Sequence, residues 1–403
     1  MNHGWAKKKA LTTHLEICGD YKMKLLIISE GYGRGGGDKV ISDLSMHLPS
    51  DIETVIAAVK IDRPEDLFPY KGRLLHLPVR PTKFRFLRRT LEINKVIASE
   101  KPDIVLTFRR NYNYANILSL GRHKKIVSIH NYDADYFRTK GIRGEINKTL
   151  TRVLYNKSDL IIVLTGAMKD DLIKMFGIKP EKIKVIPNPC DIEHIQKLST
   201  EKIEHTFFNT EEPIILNVGR LTRQKGQWHL IRAFNHVRQQ LPCKLVIIGH
   251  GNLEGYLKRL VKDLGIEDES LFLGWQRNPF KYIDRSTLFV FPSLWEGFGL
   301  SLIEAMAIGC PVIASDCKYG PREILGNGEY GRLVPVCDGN FYDAEKPLTK
   351  EEEILAGAIL ELLVNKHVRE NYIKMVKERV YEYEIHKVVN KYVDAFNSIS
   401  GRA

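Results

Sequence analysis

A chain of 403 residues is longer than one hydrophobic core usually organises and points to two domains. With 43% hydrophobic and 27% charged residues it is globular in composition, and no run approaches the 18 apolar residues of a membrane-spanning helix. The net charge of +12 is uneven: residues 1–190 hold 34 Lys and Arg against 20 Asp and Glu, whereas residues 191–403 hold 27 against 29.

Residues 1–22 carry a basic cluster without an uninterrupted apolar segment, so they do not read as a secretory signal; an extension outside the core is expected. Met23 opens the first strand pattern, Lys24 to Ser29, whose continuous apolar run suits a buried parallel strand. A glycine-rich loop, Glu30 to Gly37, then leads into a helix from Asp38 that ends at Pro49. Gly35 and Gly36 at that helix start would let backbone reach a phosphate, although the crowded glycines are not the dinucleotide fingerprint.

Further on, Lys83, Phe84, Arg85, Phe86, Leu87, Arg88 and Arg89 interleave basic and apolar side chains ahead of a helical pattern. Such a segment suits an anionic lipid surface, a nucleic acid, or a solvated basic face. Strands are expected at Thr54–Val59, Ile104–Thr107 and Lys125–Ile129, the last running straight into His130 and Asn131. Asp133 and Asp135 form a DxD sequence, read here as a coincidence rather than a metal signature. Strand Leu160–Thr165, a helix near Lys169–Phe176 and strand Lys184–Ile186 complete this half, and Pro187, Asn188 and Pro189 form a stiff turn suited to a domain linker.

In the second half, strand Ile214–Val218 leads into a turn holding Arg220 and Lys225, two cations spaced to grip a diphosphate from two sides. Strand Lys244–Ile248 ends at Gly249, His250 and Gly251, and a strand at Phe272–Trp275 precedes a polar loop. Leu288–Phe291 then reads as a buried strand, Leu300–Ile308 as a helix closed by Gly309 and Pro311, and Pro311–Ala314 as another strand. Between strand and helix lie Glu296, Gly297, Phe298 and Gly299, where open α/β sheets bind ligands. Like charge disfavours phosphate at Glu296, so hydroxyls are its natural partners, and Glu304, about 80° around the helix, serves another part of the ligand. A helical pattern over Val380–Phe396 closes the chain. Six cysteines, Cys18, Cys190, Cys243, Cys310, Cys317 and Cys337, show no CxxC pair or metal-ligand spacing, as expected of reduced, buried thiols in a cytosolic protein.

The Glu296-x7-Glu304 pair within EGFGLSLIEAMAIGCPVIAS resembles the nucleotide-sugar site of retaining glycosyltransferases of family 4, which have the GT-B fold. The resemblance implies two Rossmann-like doubly wound α/β domains facing a cleft: an acceptor domain at 23–190, completed by the last helix at about 380–403, and a donor domain at 191–379. It also implies that Arg220 and Lys225 bind the donor diphosphate, Glu296 the sugar hydroxyls, Glu304 the ribose, and that His130 lies beside the sugar. Gly35 and Gly36 would face the donor phosphate, and Gly249, Phe298, Gly299 and Leu300 would complete the donor seat. Pro189 replaces the glycine that the family usually shows after the linker asparagine.

The reaction implied is transfer of a hexose or N-acetylhexosamine from a nucleoside-diphosphate sugar, UDP on family frequency, to a hydroxyl with retained configuration. No cofactor and no metal is expected, the nucleotide sugar being a co-substrate. The basic first half motivates a lipid-linked saccharide acceptor, peripheral contact with anionic membrane on the cytoplasmic face of the inner membrane, and no nucleic-acid partner. A sugar-nucleotide epimerase of the same fold and a non-catalytic nucleotide-sugar-binding protein are the competing readings.

Overall fold

The computed structural model describes residues 21–33, 35–79, 85–130 and 141–401. The expected extension at 1–20, and with it Cys18, lies outside them, as do Arg34, Lys83, Phe84, Asn131, Asp133 and Asp135. The chain forms two compact units, residues 1–127 and 128–403.

The first unit contains β1 (Met23–Tyr32), α1 (Gly36–His47), β2 (Ile52–Ile61), β3 (Arg73–His76), α2 (Arg85–Glu100), β4 (Ile104–Phe108), α3 (Arg110–Ile117) and most of β5 (Lys124–Ile129). β1 is parallel to both β2 and β4, and β2 is parallel to β3. Leu26, Ile28, Val55, Ala57 and Val105 on the strands pack with Ile93 and Ile97 of α2 and Tyr112 of α3. Covered on both faces, the strands read as apolar runs rather than as alternation. Glu100 at the end of α2 pairs with Lys24 at 2.9 Å and with Arg73, near the starts of β1 and β3. α2 therefore ends at the amino edge of the sheet and begins towards its carboxyl edge.

β1 is longer than its apolar run: Gly31 and Tyr32 stay in register with Lys60 and Ile61. The segment Glu30–Tyr32, expected as loop, is strand, because ladder bonds tolerate an acid and a glycine at a strand end. Tyr32 is buried, and its hydroxyl donates to the Pro69 carbonyl oxygen at 3.1 Å.

The second unit runs through α4 (Gly141–Tyr155), β6 (Leu160–Val163), α5 (Gly166–Phe176), β7 (Ile183–Val185), α6 (Ile192–Ser199), β8 (Ile214–Val218), α7 (Gln227–Arg238), β9 (Lys244–Ile248) and α8 (Glu254–Asp263). It continues with β10 (Ser270–Gly274), α9 (Phe280–Asp284), β11 (Leu288–Phe291), α10 (Leu300–Ile308), β12 (Val312–Ser315), α11 (Pro321–Ile324), β13 (Arg332–Val334), α12 (Lys350–Val364), α13 (Lys366–Val380) and α14 (Ile385–Ser400). A seven-stranded sheet has the order β3-β2-β1-β4-β5-β6-β7, and a six-stranded sheet has the order β10-β9-β8-β11-β12-β13.

Both are doubly wound. In the second sheet the chain moves outward from β8 through β9 to β10, then returns to β11 on the other side of β8. The carboxyl ends of β8 and β11 thus form a topological switch point, where such sheets open a crevice. In the first sheet the corresponding point lies between β1 and β4.

Other expected boundaries move as well. Thr165, placed in a strand, caps α5 instead, its hydroxyl accepting from the Met168 N–H at 3.2 Å. The strand expected at Phe272–Trp275 is β10, two residues earlier at its start. The closing helix, expected from Val380, starts only at Ile385, because Val380 ends α13 and a turn at Tyr381–Tyr383 follows, after which the Glu384 carboxylate caps α14 by accepting from the Lys387 N–H at 3.0 Å. The break sits against the linker, where the Cys190 N–H donates to the Tyr383 carbonyl oxygen at 2.8 Å. α14 also bonds to β7 through Lys184 Nζ and Ser398 Oγ, 2.9 Å apart.

Candidate active site

The loops after β8 and β11 meet at the switch point of the second sheet. Gly226 lets them close: it has φ +61°, and a Cβ there would stand 2.3 Å from the Pro292 carbonyl oxygen. The Leu294 N–H donates to the Gln224 carbonyl oxygen at 2.8 Å, fastening one loop to the other.

Across this junction Lys225 Nζ lies 2.6 Å from Glu296 Oε1, with both side chains largely buried. The ammonium also stands over the Phe291 ring, 4.8 Å from its centroid. Gln224 donates to Glu296 Oε2 at 3.3 Å and to the Trp295 carbonyl oxygen at 2.9 Å. Arg220, exposed, donates to Gln224 Oε1 at 3.3 Å. Arg220, Gln224, Glu296 and Lys225 thus form one polar chain with a neutralised inner pair and an outer cation open to solvent. Gln224 and Phe291 were not read from the sequence as site residues. Gln224 could have been, since it lies between the two cations.

α10 starts here as well. Gly299 caps it with φ +117°, Leu300 is its first residue, and the Ser301 hydroxyl donates to the Val218 carbonyl oxygen at 3.2 Å. This brings the helix N-terminus to the end of β8, a position favouring an anion. Phe298 is buried and meets Tyr383 edge to face, ring centroids 5.7 Å apart. Glu304 is a buried carboxylate one turn into α10. Gly249 follows β9, its N–H donating to the Gly274 carbonyl oxygen at 2.8 Å. Cys317 is buried near the pair; burial, with the Glu296 charge adding to it, pushes its thiol pKa up.

His130 follows β5, and its Nε2 lies 3.0 Å from Ser128 Oγ. In the first unit, Gly36 opens α1, while the Gly35 N–H donates to Asp38 Oδ2 at 3.1 Å. The amide expected to meet a phosphate is therefore held by a carboxylate of its own helix, whose pKa burial raises. At the switch point of this first sheet, Arg109 Nη1 pairs with Glu30 Oε2 at 2.8 Å. Arg109 has φ +75°, a strained backbone for a side chain of its size. Among the described residues there is no cluster of three His, Cys, Asp or Glu side chains able to hold a metal ion, and no helix is long and apolar enough to cross a membrane.

Two doubly wound sheets, one with a cation–carboxylate pair beside a helix N-terminus at its switch point, place the chain among α/β proteins that bind ligands at the carboxyl ends of their strands. Comparison with known proteins gives the family. The model described as Glycosyl transferases group 1 matches residues 199–379, and that of Glycosyltransferase Family 4 matches residues 34–194. An uncharacterised glycosyltransferase of Methanocaldococcus jannaschii is 34% identical over 337 residues, covering 77% of this chain and 82% of that protein. The N-acetylgalactosamine-N,N'-diacetylbacillosaminyl-diphospho-undecaprenol 4-alpha-N-acetylgalactosaminyltransferase of Campylobacter jejuni is 29% identical, covering 82% of this chain and 91% of its own. The Anabaena protein HepE, crystallised with UDP and glucose, superposes with a TM-score of 0.72 at 18% identity over 93% of this chain and 100% of that one. The chain belongs to glycosyltransferase family 4, with the GT-B fold.

Proposed function

We propose that the protein transfers a hexose or N-acetylhexosamine from a UDP-sugar to a hydroxyl of a membrane-linked glycolipid or polyprenyl-diphosphate saccharide, retaining the anomeric configuration and using no metal ion. The observation that carries this reading is the Lys225–Glu296 pair at 2.6 Å, with Arg220 alongside, at the switch point of the second sheet. As the sugar–phosphate bond breaks, the diphosphate gains negative charge and the sugar becomes oxocarbenium-like. Lys225 turns from Glu296 to the diphosphate, Arg220 closes on it from the solvent side, and the amides at the start of α10 face it. Each preorganised donor contributes roughly 3 kcal/mol to such charge stabilisation.

Glu296, released by Lys225, accepts from sugar hydroxyls, while Glu304 accepts from the ribose. His130 stands beside the sugar, and Gly249 and Phe298 shape the donor seat. The name of the Campylobacter relative states a diphospho-undecaprenol acceptor, and HepE was crystallised with UDP and glucose, which supports the choice of partners. The basic first half, with Leu87 and Leu91 exposed on α2, supports peripheral contact with anionic lipid at the cytoplasmic face.

The test is a panel of nucleotide sugars scored by thermal stabilisation, followed by turnover with a polyprenyl-diphosphate saccharide, with and without a chelator. A UDP-sugar should stabilise the protein and be consumed only with acceptor present, giving a product of the donor's anomeric configuration by NMR, with the rate unchanged by chelation. Conversion of the donor alone would make the protein an epimerase, and an inverted product or strict metal dependence would overturn the mechanism.

A further inference from the structure

Arg89, in the first turns of α2, is 4% exposed, and its guanidinium carbon lies 4.6 Å from the centroid of the buried Tyr112 ring. Among the described residues no carboxylate pairs with it and no carbonyl accepts from it, and its Nε is sealed from solvent without a hydrogen-bond partner. Glu92, one turn on, is engaged by Lys95 at 2.9 Å. The other deeply buried arginine, Arg232, shows the usual arrangement, with its donors shared among the Glu352 carboxylate and the carbonyl oxygens of Asp343, Lys346 and Pro347. Among the described residues the Arg89 side chain thus has an enclosed Nε without a partner and an aromatic face beside its guanidinium. Leaving a buried charge uncompensated is among the most costly arrangements in a folded protein.

The place of this charge gives it a use. α2 begins towards the carboxyl edge of the first sheet, and α3, which supplies Tyr112, leaves that edge directly after β4. Arg89 therefore lies towards the switch point between β1 and β4, on the edge where Arg109 and Glu30 pair. Its ring partner fixes the plane of the guanidinium, and a planar fork of N–H donors matches a phosphate oxygen pair.

We propose that Arg89, stacked on Tyr112, is a binding site for a phosphate or diphosphate group, and that this group belongs to the acceptor. The first half of the proposal stands on the buried, unpaired guanidinium; the second rests on the reading of the acceptor as a diphosphate-linked saccharide. Arg89 holds the acceptor by its phosphate and takes no part in bond breaking.

Two variants of the full chain test it. Arg89→Met keeps an unbranched chain over Tyr112 without charge, and Arg89→Lys keeps charge without the fork. Saturating inorganic pyrophosphate should raise the wild-type melting temperature by roughly 2–4 °C and leave Arg89→Met unmoved. Unliganded Arg89→Met should melt no lower than wild type, because it has lost an unpaired charge. The KM for a polyprenyl-diphosphate saccharide should rise roughly tenfold or more in both variants, with the donor KM unchanged. The same saccharide on a phosphate-free alkyl chain should show equal KM in all three proteins.

An equal pyrophosphate response in Arg89→Met would overturn the site. A lower melting temperature in Arg89→Met with unchanged acceptor KM in Arg89→Lys would make Arg89 a structural residue and also overturn it. Loss of sedimentation with phosphatidylglycerol vesicles, with unchanged KM for acceptor in detergent, would assign the phosphate to a lipid headgroup and overturn the acceptor assignment. Absence of turnover with every nucleotide sugar would defeat the proposed transferase reaction. The pyrophosphate measurement needs no turnover and decides the Arg89 site on its own.

Discussion

Lys225 and Glu296 stand 71 positions apart in the chain and meet at 2.6 Å, so each is the other's main electrostatic neighbour in the resting site. Replacing either by alanine should lower kcat/KM for transfer about 100-fold or more, and near-normal turnover in either purified, folded variant would sink the assignment. The double variant should lose less than the product of the two single losses, since residues in direct contact do not act independently. Arg220, Lys225, Glu296 and Glu304 stand out in the sequence as candidates because each follows a strand end or a helix start within its own segment. Gln224 and Phe291 were not, since their roles exist only once the loops after β8 and β11 touch. The same holds for Arg89: a basic residue in a basic segment reads as solvent-facing until packing against Tyr112 buries it.

Among the elements, the loop after β12 has the tightest tolerance. Gly320 has φ +91°, and a Cβ there would stand 1.6 Å from the Phe298 carbonyl oxygen. Gly320→Ala should therefore destabilise the protein by about 1–3 kcal/mol and weaken donor binding by moving Phe298; urea unfolding and donor titration check the two effects. Another strut joins α7 to α12. His229 Nδ1 and Arg232 Nε lie 2.7 and 3.0 Å from Glu352 Oε1, all three residues being essentially buried. Burial alone would raise the Glu352 pKa; hydrogen bonds from His229, Arg232 and the Thr349 N–H overcome that and hold it below the ordinary glutamate value. Because the folded-state pKa is lowered, this stabilisation is present above about pH 4.3 and is lost as pH falls through the folded value. Glu352→Gln should cost about 3–5 kcal/mol at neutral pH and flatten the acid limb of stability, measured by urea unfolding at several pH values. Central strands such as β1, β8 and β11 were visible as apolar runs. β3 and β13 were not: both are short edge strands, RLLH and RLV, whose charged residues break any pattern. The turn at Tyr381–Tyr383 was hidden because apolar spacing carries across it.

For the molecule as a whole, charge and thiols give the clearest measurements. All of the positive excess lies in residues 1–190, and α2 exposes Leu87 and Leu91. Binding to phosphatidylglycerol vesicles should weaken steeply between low and physiological salt, and Leu87→Ser with Leu91→Ser should reduce it at every salt concentration; sedimentation checks both. Cys190, Cys243, Cys310, Cys317 and Cys337 are buried, and burial pushes the thiols of Cys243, Cys310 and Cys337 up to about 12. A thiol reagent at neutral pH should leave these five unmodified in the native protein and label them all in denaturant. Under the proposed reaction, the Lys225–Glu296 pair would also set the order of events in the catalytic cycle. Opening it strands two charges, and a nucleoside diphosphate alone satisfies only the ammonium. A donor that still carries its sugar offers hydroxyls to the carboxylate at the same time. In the proposed reaction the two side chains would regain their mutual partner once the sugar has left, expelling the spent nucleotide, and the resting ion pair would then act as a spring favouring turnover over product inhibition.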